Sequence, residues 1–140
     1  MPPYLESPAA YAEFLAQFHA GSIPRAQWNH AAHLAMAAGV VHGCNPETAV
    51  NRVRAGILAY AVAQGIVHSA DSGYHETVTR FWVARVLELN AGLGRGSTPF
   101  DAARAAVAAF AHRGGLVSEY YTYDLIPSRE ARRDYLPPDR

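Results

Sequence analysis

The chain reads as all-α: one compact domain of five helices with a short sixth near its end. Three observations carry that expectation. Cap, proline and acid signals recur in the order that opens helices, and apolar residues fall at helical spacing between them. No run alternates apolar and polar residues for long enough to suggest a strand.

The elements follow in order. Ser7-Pro8 offers an N-cap with proline at the first helical position. Tyr11, Phe14, Leu15 and Phe18 then form one apolar stripe before Gly21 stops the helix. Asn29 is placed to cap a second helix running to His42, with Gly43 closing it. Asn45-Pro46-Glu47 opens a third through Tyr60 to Gly65. After a loop of Ser69, Asp71, Ser72 and Gly73, a fourth spans about Tyr74 to Asn90. The GLGRGS stretch follows a helix and lacks lysine, so it reads as a turn and not a phosphate cradle. Thr98-Pro99-Phe100-Asp101 opens a fifth helix that ends near His112, before Gly114-Gly115. The tail suggests one turn around Tyr120 and a short helix from Ser128 to Tyr135. Short connections favour antiparallel neighbours.

Composition narrows the function. The 140 residues carry 12 basic and 12 acidic side chains. That balance argues against nucleic-acid binding and against a polybasic membrane surface. Every basic residue is arginine, which excludes an internal lysine Schiff base and a lysine-based phosphate loop. The single cysteine, Cys44, can form neither an intrachain disulfide nor a cysteine-only metal site. The opening MPPYLESP has no basic n-region or apolar h-region, and no segment is apolar enough to span a membrane. A cytoplasmic location is therefore expected. A homodimer is allowed, since an apolar bundle of this size can pair through an exposed helix face.

The chemistry concentrates in two motifs. WNHAAHLA places His30 and His33 three residues apart, hence as neighbours on one helix, with small alanines around them. Two imidazoles at that spacing can converge on one ion but need a third ligand. DSGYHET supplies the candidate: His75 heads a stripe continued by Thr79, Trp82, Val83 and Val86. Glu76 lies about 100° further round, suited to be a fourth ligand or to move a proton. His19, His42 and His112 read as structural, at helix C-termini that favour a cation. Tyr74, Arg80, Tyr120 and Tyr121 are candidate substrate contacts, although Arg80 also suits an i,i+4 pair with Glu76 and the tail tyrosines suit packing. Trp28 suits a hydrophobic staple onto the second helix.

Together, WNHAAHLA, GYHETVTRFW and YYTYDLIPSREARRDYLPPD resemble a family of small, uncharacterised bacterial all-helical proteins. Its pattern is Trp-(Asn/Thr)-His-x-x-His-Leu, Gly-Tyr-His-Glu-Thr-(Ile/Val)-Thr-x-Phe-Trp, a Tyr-Tyr segment and an arginine-containing tail. The resemblance covers Trp28 to Asp139 and departs at LPPDR, which stops short of that tail's apolar residues. It implies that His30, His33, His75 and Glu76 share a functional site, and it supplies no reaction.

The expectation is a small-molecule enzyme. His30, His33 and His75 would hold one divalent transition metal (zinc, iron, copper or nickel) between helices two and four, with His75 and Glu76 as the catalytic pair. Two alternatives stand beside it. One is a metal-free His75/Glu76 acid–base enzyme of isomerase, lyase or cyclase type; the other is a non-catalytic bundle binding a small ligand or haem.

Overall fold

Five of the six helices begin where the sequence offers an oxygen to the free amides of the first turn. The computed structural model describes residues 1–140. Its helices are α1 (Pro8–His19), α2 (His30–Val41), α3 (Pro46–Ala63), α4 (Glu76–Ala91), α5 (Pro99–Phe110) and α6 (Arg129–Arg133), and there is no strand. The Ser7 hydroxyl accepts the Ala10 N–H at 3.0 Å, and the Asn29 and Asn45 side chains accept those of Ala32 and Thr48 at 3.0 and 2.8 Å. Thr98 and Asp101 form a reciprocal capping box, and the Ser128 hydroxyl takes the Ala131 N–H.

The fourth helix departs from expectation. It starts at Glu76, not Tyr74, and its cap is His75, whose Nδ1 accepts the Val78 N–H at 3.1 Å. The tail also differs in detail. A 3-10 stretch spans Gly114–Glu119, where one turn around Tyr120 was expected, and α6 is a single turn and a half. The fifth helix closes at Phe110, just short of His112.

Small residues set the packing. Alanines line α2 and α5, which lie against each other, and α2 also contacts α3 and α4. Close approach requires glycine at Gly39, where a Cβ would sit 1.8 Å from the Tyr11 hydroxyl, which donates to the Ala35 carbonyl at 2.6 Å. The main core draws on α1 to α5, with Phe14, Phe18, Leu34, Met36, Val41, Val53, Tyr60, Val83 and Val86 all buried. A smaller cluster of Phe81, Leu116, Tyr121, Leu125 and Ala131 fastens the tail to the outer face of α4. No helix is long and apolar enough to cross a membrane.

Candidate ligand cavity at the start of helices α2 and α4

The first turns of α2 and α4 and the middle of α3 enclose a cavity of about 310 Å³ that opens to solvent. Its body is apolar, and its polar groups are His30, His33, Asn29 and Thr79. No arginine, aspartate or glutamate lines it. Both tryptophans of the chain, Trp28 and Trp82, form walls. Its size lies at the lower end for small-molecule sites.

The two imidazoles are there because Asn29 caps the helix for them. Asn29 Oδ1 takes the Ala32 amide, so neither histidine has to. The His33 Nδ1–H donates to the Asn29 carbonyl at 2.8 Å, which leaves Nε2 as an unprotonated lone pair. Trp28 lies across the ring with centroids 4.0 Å apart, in the N′-to-N4 relation of a hydrophobic staple. The His30 Nε2–H donates to the Phe110 carbonyl at 3.1 Å, at the negative end of α5, and leaves Nδ1 free. Trp82 meets the His30 ring edge-on at 4.8 Å. Neither free nitrogen is sealed from solvent.

Burial pushes the His33 pKa below the ordinary imidazole value, and repulsion from His30 adds to this, against the bond to Asn29 that raises it. The positive end of the α2 dipole opposes a cation in the same way. His33 is therefore a neutral base at pH 7.

The YHET half of the expected site is built differently. Both nitrogens of His75 are engaged, since its Nε2–H donates to the Leu125 carbonyl at 2.7 Å while Nδ1 caps α4. Burial lowers its pKa, and the Arg132 cation nearby lowers it further. With no free lone pair, His75 does not join His30 and His33 as a ligand. No three histidine, cysteine or acidic side chains group closely enough to form a metal cage. His75 is buried as expected of the residue that heads the inward stripe, but it sits in extended conformation as the N-cap and not within the helix.

Glu76 is corrected likewise. Arg54 grips both carboxylate oxygens, through Nε at 2.9 Å and through Nη2, and the Tyr74 hydroxyl donates at 2.7 Å. Arg80 stands 3.9 Å away, the i,i+4 partner expected. Burial alone would raise the Glu76 pKa, but the bonds from Arg54 and Tyr74 and the two positive charges outweigh it and hold the carboxyl below its usual value. Glu76 faces α3 and does not line the cavity, so neither member of the expected catalytic pair is placed for proton transfer there.

The remaining candidates scatter. Tyr74 spends its proton on Glu76, and burial pushes its own pKa up to about 12. Arg80 lies over the Tyr135 ring at 4.2 Å, in a separate groove beside Arg54. Tyr121 is buried in the tail cluster with its hydroxyl donated to the Leu136 carbonyl. Tyr120 packs against Phe81 and beneath the Arg85 guanidinium, 4.6 Å from it. Both phenols hold the tail and line no part of the cavity. Thr79, which does line it, was legible only as a member of the inward stripe, and Val78 was not singled out.

No family model, curated protein or solved structure matches the chain.

Proposed function

We propose that the chain is a metal-free acid–base enzyme of isomerase or lyase type. It binds a small, neutral, mainly apolar molecule bearing a hydroxyl or N–H, with His33 as its base. One observation carries this: an uncharged apolar cavity presents the free Nε2 of a neutral histidine whose other nitrogen is anchored to a carbonyl. Such a site selects against acids. A carboxylate would be desolvated there without a cation to receive it. It favours a donor, because unpaired imidazole lone pairs accept.

The chemistry available is proton abstraction. The ligand's acidic O–H, N–H or activated C–H would give its proton to His33 Nε2, and the electron pair would stay on the ligand. The Nδ1–H bond to the Asn29 carbonyl fixes the tautomer and stabilises the imidazolium. The first turns of α2 and α4 border the cavity, so their positive dipole ends face the developing anion.

A second role for the same nitrogens is favoured by their number. His30 Nδ1 and His33 Nε2 are both free, and two imidazoles can hold a divalent transition metal if the ligand supplies the rest.

Tryptophan fluorescence tests the proposal, since both tryptophans line the cavity. Cyclohexylmethanol should perturb it saturably, whereas cyclohexanecarboxylate and methylcyclohexane should bind at least about tenfold more weakly. His33→Gln should weaken the alcohol by about tenfold while the fold persists by circular dichroism. Equal binding of the carboxylate overturns the donor selection. Stoichiometric zinc or nickel uptake that needs both histidines moves the assignment to the metal.

A further inference from the structure

A second cavity, of about 290 Å³, shares Trp28, His33, Ile57, Val78 and Thr79 with the first. The two are therefore adjoining chambers, and His33 and Thr79 stand at the boundary between them. The second chamber has the opposite hydrogen-bonding character. Tyr60 already donates its hydroxyl to the Ile23 carbonyl at 2.8 Å, Tyr74 donates to Glu76, and His75 is engaged at both nitrogens. What it offers is His68, a solvent-exposed loop residue on its lining. That ring accepts the Tyr74 N–H on Nδ1 at 2.9 Å, so in the neutral form its proton sits on Nε2 and is free to donate.

A built feature holds His68 in this pose. Gly73 has φ +87°, and a Cβ there would lie 2.4 Å from His68 Nδ1. Only glycine lets the loop fold this tightly over the ring.

Resting on the proposed function above, we infer that the natural ligand has two parts, a ring and an arm. The apolar ring carries the donor group and sits between Trp28 and Trp82, with its donor on His33. The apolar arm passes His33 and Thr79 into the second chamber and ends in an acceptor oxygen, carbonyl or ether, on His68. The class is a neutral molecule with a hydroxyl or N–H at one end and an acceptor oxygen at the other. His68 is a specificity-determining residue for the arm, and Gly73 positions it.

The experiment compares cyclohexylmethanol with the same alcohol carrying a 3-oxobutyl arm at its 4-position, titrated by calorimetry and tryptophan fluorescence. On the wild-type chain the extended probe should bind about tenfold more tightly or better, from the buried methylenes and one hydrogen bond. Two variants test the chamber separately. Gly73→Ala displaces His68, and Ile66→Trp fills the half-buried apolar wall of the second chamber. Each should cut the advantage of the arm to under about threefold while leaving cyclohexylmethanol within about twofold of wild type. Equal affinity of the two probes for the wild-type chain, or an advantage that survives both variants, overturns the two-part ligand and leaves the base assignment of His33 standing. Failure of both probes to bind overturns both inferences.

Discussion

Two histidine-bearing helix starts flank the same cavity and do opposite things. At α2 the cap is Asn29, and both imidazoles keep one nitrogen free. At α4 the cap is His75 itself, and the acid beside it is locked under Arg54 and Tyr74. The residue types are alike, so what separates an imidazole with a free nitrogen from one with none is which side chain satisfies the first-turn amides. A helix that brings its own asparagine leaves its histidines available, whereas one without such a cap consumes its histidine.

The sharpest way to break the contrast is to delete both imidazoles in turn. His75→Ala orphans the Val78 amide and the Leu125 carbonyl, and should cost about 2–4 kcal/mol in urea unfolding. His75→Asn should recover about 1 kcal/mol of it by restoring the cap alone. His33→Ala removes one bond to a carbonyl that still accepts the His33 backbone N–H, and should cost about 1 kcal/mol or less. Equal losses from the two alanine variants would erase the distinction.

Glu76→Gln comes next in size. It leaves the half-exposed Arg54 without a counter-charge, so a loss of about 1–2 kcal/mol is expected after allowance for solvent. Because Glu76 does not line the cavity, affinity for cyclohexylmethanol should stay within about twofold. A large drop in affinity at unchanged stability would return Glu76 to the site.

The α2 half was legible in the sequence because its signals are local. Trp28, Asn29, His30 and His33 lie within six consecutive residues, and cap, staple and spacing are all read at that range. The same holds for the caps at Ser7, Asn45 and Thr98. The adjacency of α2 and α4, which the expected site required and no local signal fixed, is present. What misled was His75. Its deciding partner is a backbone carbonyl 50 residues away, just as the His30 partner is 80 residues away, and a carbonyl has no side-chain identity to read. The Arg54–Glu76 pair crosses two helices in the same manner. His68 read only as a loop histidine, because its pose depends on the backbone conformation at Gly73 and not on any motif.

The smallest effect is the one that separates the two regions most cleanly. His33 and His75 both hold pKa values below the ordinary imidazole range, chiefly through burial. As pH falls from neutral through about 6.5, the unfolded chain takes up protons that the folded chain refuses, so stability declines until the lowered folded values are reached. Both histidines contribute to that decline, and His75 does so because a proton on its Nδ1 ends the bond from the Val78 amide and adds positive charge near Arg132. His33 carries the binding share, because a proton on Nε2 removes the lone pair that receives the ligand. His75→Asn should therefore make the decline in denaturation midpoint across this window shallower and leave the acid loss of alcohol binding in place. In His33→Gln, the residual binding should lose its acid dependence while the His75 share of the slope in stability remains. If one variant flattened both profiles, the two helix starts would be a single titrating unit, and the division of labour set by Asn29 would have to be given up.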